Sequence, residues 1–115
     1  FTVVKEVMEY DSKAKIVFDE QNRVLYASRA GIPVDYKGQF QKAHKAIWIH
    51  SYTKNVLDSY FSQGLCSAES LDGLSIHRFL QIGIPVYCID LIGDSWAVDE
   101  PKDIKIVEDR LRNLH

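Results

Sequence analysis

The chain has 115 residues, 46% of them apolar, with 14 basic and 16 acidic side chains and a net charge of −2. That length and composition suit one globular domain spanning residues 1–115, and interspersed charges without a basic stripe argue against a nucleic-acid partner. Cys66 and Cys88 lie far apart without CxxC spacing, so they read as buried thiols in a cytoplasmic protein rather than as a disulfide or zinc framework. No apolar run reaches the roughly 20 residues of a membrane helix, so no membrane is expected as a partner.

Phe1 is not an initiator methionine, and residues Phe1 to Val7 read as a strand or connector cut from a longer context. Lys15–Phe18 and Val24–Ala27 are rich in β-branched and aromatic residues, and the polar link from Asp19 to Arg23, with Asn22, predicts a hairpin. Gly31 and Pro33 then take the chain out of the sheet, since proline has no amide to donate. Arg29 is left at a strand end, as a guanidinium fork for a carboxylate or phosphate or as a solvated surface arginine.

The polar segment from Asp35 to Lys42, with Gly38, reads as a loop free to move. His44 to His50 predicts a strand whose period of two places His44, Ala46, Trp48 and His50 on one face and Lys45, Ile47 and Ile49 on the other. The first face either lines a pocket or packs half-buried with satisfied imidazoles. Metal ligation by the two histidines is not supported, because no acidic or thiol partner stands at ligand spacing.

Val56, Leu57, Tyr60 and Phe61 recur at helical spacing and predict a core-facing helix from Thr53 to Gln63, stopped by Gly64. A second helix is expected from Glu69 to Gln81, with Leu71, Leu74, Phe79 and Leu80 as its apolar contacts and Gly73 weakening its start. Ile84 to Ile92 reads as a buried strand between Gly83 and Gly93, and Pro101 to Leu114 as a helix carrying Ile104, Val107, Leu111 and Leu114. Between these two elements, Asp99 stands at a strand end beside a helix N-terminus. Open α/β sheets place ligands there, and a hard cation or a backbone amide can partner a carboxylate, although an ordinary helix cap explains the same pattern.

The order of strands and helices predicts an α/β or α+β sheet covered by helices. The scattered glycines form no phosphate-cradling loop, and no GxSxG or Cys–His pairing suggests a covalent nucleophile.

Three segments carry a resemblance: Val24-Leu25-Tyr26-Ala27-Ser28-Arg29-Ala30-Gly31-Ile32-Pro33, His44-Lys45-Ala46-Ile47-Trp48-Ile49-His50-Ser51-Tyr52, and Val98-Asp99-Glu100-Pro101-Lys102-Asp103-Ile104. In this order they resemble the second half of the cytidylyltransferases that activate acidic sugars, most nearly the CMP-Kdo synthetases. The resemblance implies an α/β fold: the C-terminal part of a nucleotide-diphospho-sugar transferase-like mixed sheet with covering helices. It implies transfer of CMP from CTP to a 3-deoxy sugar acid such as Kdo, in lipopolysaccharide biosynthesis, with release of pyrophosphate and Mg2+ as cofactor. Asp99 matches the family's metal-binding aspartate, and Arg29, His44 and Glu69 match positions implied to approach the sugar acid.

Several positions depart from the family. Glu100 replaces a threonine cap, although Asp103 keeps an acid in the first turn. Leu74-Ser75-Ile76-His77-Arg78 stands where the family has Leu-Glu-Gln-Leu-Arg, Trp48 occupies a glycine position, and His50 a tyrosine position. The family's N-terminal half, with its nucleotide-binding loop and first metal aspartate, has no counterpart here, so this chain alone is not expected to turn over CTP. Two expectations follow, a sugar-acid-binding half of a synthetase or a non-catalytic dimerisation or ligand-binding module of the same ancestry. Both predict a homodimer.

Overall fold

The computed structural model describes residues 2–6 as backbone and residues 13–91 and 96–114 in full. Its frame is a five-stranded mixed sheet of β1 (Thr2–Glu6), β2 (Lys15–Phe18), β3 (Val24–Ser28), β4 (Ala43–Ile47) and β5 (Ile89–Asp90), in the order β3-β2-β4-β1-β5. All pairs are antiparallel except β1 with β5.

The predicted hairpin forms, and Asp19 makes its turn. The Asp19 carboxylate accepts from the amides of Gln21 and Arg23 at 3.0 and 2.9 Å, while Asn22 takes the left-handed conformation at φ 64°, which asparagine tolerates better than most residues. The register shifts between Val17 and Phe18. The loop predicted from Asp35 to Lys42 closes on itself: the Asp35 carboxylate accepts from the amides of Lys37 and Gln39, both at 2.9 Å, and Val34 bridges Phe40.

β4 is shorter than predicted, ending at Ile47, and it lies inside the sheet between β2 and β1. Flanked by strands on both sides, it buries Ala43, Lys45 and Ala46 together, so the face that carries Lys45 is as buried as the face that carries Ala46. Ile16, Val24, Ala27 and Ala46 of the sheet pack with Ala14, Leu74, Ile76 and Cys88 to form the core.

The first helix is α1 (Lys54–Ser62), with the Thr53 hydroxyl accepting from the Val56 amide at 3.3 Å. It buries no residue fully, and Phe61, expected in the core, is 75% exposed. The second predicted helix is two: α2 (Ser67–Asp72) and α3 (Ile76–Gln81). Gly73 between them has φ 72°, a left-handed helix end that glycine adopts without steric cost. The break turns Leu71 outward and leaves Leu74, Ile76 and Phe79 inside. The Glu69 carboxylate fastens the two pieces, accepting from Nε and Nη2 of Arg78 at 2.8 Å each and from the Tyr60 hydroxyl at 3.3 Å.

The predicted buried strand from Ile84 to Ile92 is mostly an extended segment leaning on the hairpin turn. Val86 accepts from the Val24 amide and the Cys88 amide donates to Asn22, each at 2.7 Å. Only Ile89–Asp90 pairs as β5, and Ile89 and Leu91 are exposed; Ile92 and Gly93 to Ser95 lie outside the described residues. The last helix, α4 (Pro101–Asn113), begins where predicted. Its stripe is largely open, with Ile104, Leu111 and Leu114 exposed.

Candidate functional site

A cavity of about 400 Å³ opens at the end of the sheet between β2, β3, β4 and the segment leading into α4, lined by Lys13, Arg29, Lys45, Trp48 and Asp99 with Ala14, Ala46, Ile47 and Ala97. Three cations thus face one carboxylate. Their placement follows from the strands. Lys15 of β2 stands directly opposite Lys45 of β4, and both are buried. Like charges directly opposite one another repel, but Lys15 is committed elsewhere: its ammonium donates to the main-chain oxygens of Lys13 and Arg29, both at 2.8 Å. These bonds hold the start of β2 to the end of β3, where Arg29 leaves the sheet.

Arg29 is fixed a second time, its Nε donating to the Asp72 carbonyl at the end of α2 at 2.8 Å. A helix C-terminus carries partial negative charge, which favours a cation there. Trp96 is surrounded by cations, with Lys13, Lys45 and Arg110 at 4.4, 5.2 and 4.8 Å from its ring, an arrangement that the negative ring face stabilises.

Asp99 is exposed, and its backbone is set by Asp103. The buried Asp103 carboxylate accepts from the amides of Glu100 and Asp99 at 2.9 and 3.1 Å and from Trp96 Nε1 at 3.3 Å. The Glu100 amide first, then the Asp99 amide and the indole, hold the Asp103 carboxyl below the usual carboxylate range against the opposing effect of burial. The threonine-type cap is therefore replaced by an acid reaching back from the first turn. Asp99 itself is a wall residue of the cavity rather than the cap.

The other wall is aromatic. Trp48, 45% exposed, meets the His50 ring edge-on at 5.5 Å, and His50 bonds the Tyr52 hydroxyl. Tyr52 stacks on Phe79, which stacks on Tyr60. The ladder braces Trp48 against α1 and α3.

The excess of positive charge suits an anion of a few heavy atoms per charge, such as a carboxylate or phosphate group. It does not make a magnesium site of these residues alone. A hard cation takes several oxygen ligands, Asp99 offers one carboxylate, and no cluster of three histidine, cysteine or acidic residues occurs among the described residues.

No family model matches the chain. It is 32% identical over 110 residues to a 3-deoxy-manno-octulosonate cytidylyltransferase of Koribacter versatilis (strain Ellin345), a match covering 95% of this chain and 42% of that one. Over 97 residues it is 34% identical to an 8-amino-3,8-dideoxy-manno-octulosonate cytidylyltransferase of Shewanella halifaxensis (strain HAW-EB4), covering 84% and 40% of the two chains. The chain is homologous to part of the sugar-acid cytidylyltransferases. Its fold superposes on a solved CMP:2-keto-3-deoxy-manno-octonic acid synthetase complexed with CTP with a TM-score of 0.81, at 22% identity, over 99% of this chain and 48% of that one. The chain therefore has the α/β fold expected from its sequence, and it spans less than half the length of these relatives.

Of the four residues that the sugar-acid cytidylyltransferase resemblance singled out, the cavity brings together Arg29 and Asp99. His44 packs against Phe18 with ring centroids 4.8 Å apart, and Glu69 is held by Arg78 and Tyr60; neither is among the lining residues. Sequence reading missed Lys13 and Lys45. The one available signal was a lysine at an interior strand position, and it is legible only once β4 is known to lie inside the sheet.

Proposed function

We propose that this chain is the C-terminal, sugar-acid-binding part of a cytidylyltransferase that transfers CMP from CTP to a 3-deoxy sugar acid such as Kdo. The observation that carries the reading is the cavity in which Lys13, Arg29 and Lys45 face Asp99, in a chain homologous to enzymes of that name. Arg29, pre-oriented by the Asp72 carbonyl, presents a planar fork to the carboxylate of the sugar acid, and charge-assisted bonds of that kind are the strong ones. Lys13 and Lys45, steadied over Trp96, offset the negative charge that gathers when two anionic substrates meet. In the reaction the anomeric oxygen attacks the α-phosphorus of CTP, a new P–O bond forms as the bond to the β-phosphate breaks, and pyrophosphate leaves with the electron pair. The proton of the anomeric hydroxyl passes to a base as the oxygen attacks, and Asp99, the one carboxylate in the lining, is placed to accept it.

Magnesium enters this reading as a partner of the triphosphate, with Asp99 supplying one oxygen of several. The protein acts in the cytoplasm, and among the described residues no helix is long and apolar enough to cross a membrane. The exposed Ile104, Leu111 and Leu114 of α4 favour a second reading, a non-catalytic homodimerisation module of the same ancestry. Calorimetric titration of the chain with Kdo separates the two: binding that Arg29→Ala weakens at least about tenfold supports the sugar-acid site, and absence of binding removes it.

A further inference from the structure

The geometry points to His77 and Asp72 as positioning residues that aim Arg29 into the cavity, an inference that rests on the sugar-acid reading of that cavity. His77 stands where the sugar-acid cytidylyltransferase motif has leucine, and neither the charge pattern of the cavity nor its lining includes it. It is 4% exposed, and a histidine buried so completely requires a polar partner. The partner is Asp72, whose Oδ2 lies 2.8 Å from His77 Nε2, while its Oδ1 accepts from the Leu74 amide at 2.9 Å.

These two bonds close the corner between α2 and α3 around Gly73. The corner is also where the Asp72 carbonyl points outward to accept from Arg29 Nε at 2.8 Å. One residue therefore serves both ends, its carboxylate tied to α3 and its carbonyl tied to the cavity arginine. Tyr26 of β3 meets the imidazole at a tilt of 44°, with ring centroids 5.0 Å apart, so the ring cannot swing away without opening the contact between α3 and β3. The guanidinium passes beside this turn: a side-chain carbon built at Gly73 would lie 3.9 Å from Arg29 Nη2, an ordinary van der Waals distance, so the left-handed backbone rather than lack of space calls for glycine there.

A leucine at position 77 fills similar space but cannot hold Asp72. The carboxylate then loses one of its two ties, the α2 end relaxes, and the Asp72 carbonyl no longer aims the Arg29 Nε–H. The guanidinium remains charged and present. What changes is its direction.

The test follows the Arg29 side chain itself. In 15N spectra of the whole chain, the Arg29 Nε–H signal, identified by its loss in Arg29→Lys, is expected to be shifted and slow to exchange with water. His77→Leu and Asp72→Ala should each return it to the position and exchange of a solvated arginine and weaken Kdo binding by about tenfold. His77→Gln, which keeps a donor, should preserve both, whereas a merely structural histidine would lower Tm in all three variants without moving the Arg29 signal. Asp72→Ala removes no buried apolar volume and keeps the test open should His77→Leu fail to fold. An unchanged Arg29 signal and unchanged Kdo affinity in both variants, alongside lost binding in Arg29→Ala, would overturn the positioning role and leave the cavity reading intact. Kdo binding untouched by Arg29→Ala would instead remove the cavity reading, and the Nε–H signal alone would then decide whether His77 orients the arginine.

Discussion

The Asp103 carboxylate accepts from the Asp99 amide at 3.1 Å, so a buried acid in the first turn of α4 sets the backbone of the acid that lines the cavity. Asp103 also holds Trp96, the ring over which Lys13 and Lys45 rest. Replacing it with alanine leaves the Asp99 and Glu100 amides without their partner and frees the indole. Asp103→Ala should lower Tm by about 5 °C, as expected for loss of a helix cap in a domain of this size, and weaken Kdo binding measured by calorimetry, because Asp99 and the ring beside Lys13 and Lys45 lose their support.

Lys15 predicts a different balance. Its ammonium is buried and bound to the carbonyls of Lys13 and Arg29, two residues of the cavity lining. Lys15→Met should cost about 1–3 kcal/mol of stability in urea unfolding, the range for stranding buried polar partners, while removing the cation opposite Lys45.

Acid should weaken the fold at Glu69 and Asp103, beside the loop acid Asp35, which the Gln39 amide also holds below its ordinary value. The hydrogen bonds of Arg78 are the first cause holding the Glu69 carboxyl below its ordinary value, and the Glu100 amide is the first for Asp103. A carboxylate whose folded value is depressed contributes stability that is present above its unfolded value, near pH 4, and lost as pH falls through the folded value. Chemical-denaturation midpoints should therefore decline progressively below about pH 4, and Glu69→Gln should flatten part of that decline. At neutral pH the same substitution should cost about 2–3 kcal/mol, since it removes one partner of a largely buried ion pair.

Trp48 tests the wall of the cavity rather than its charge. It is just over half buried, so Trp48→Ala should cost about 2–3 kcal/mol and lower Tm by roughly 10 °C. If the ligand rests against the indole, affinity for Kdo should fall by about tenfold, the scale of one lost aromatic contact; an unchanged affinity would place the ligand away from this wall.

The hairpin, the two end helices and the family were legible in the sequence because each depends on local signals: alternation, an asparagine turn, apolar residues at helical spacing and an ordered set of short segments. The interior was not. Whether both faces of β4 are buried depends on its place in the sheet, and between β1 and β2 its lysine is buried together with its alanines. Gly73 was read as a weak helix start, whereas its left-handed backbone makes it a helix end. Arg29 and Asp99 could be picked out as charged groups at element ends. Lys13 and Lys45 could not, because only the fold brings them beside Trp96.

The central claim is best tested by pyrophosphate release from CTP and Kdo in the presence of magnesium, using the full gene product that contains this chain. The account predicts turnover that Asp99→Asn reduces at least about a hundredfold, the scale on which catalytic charge and proton-handling groups act. No pyrophosphate release by the wild-type protein, or release that Asp99→Asn leaves undiminished, would contradict it.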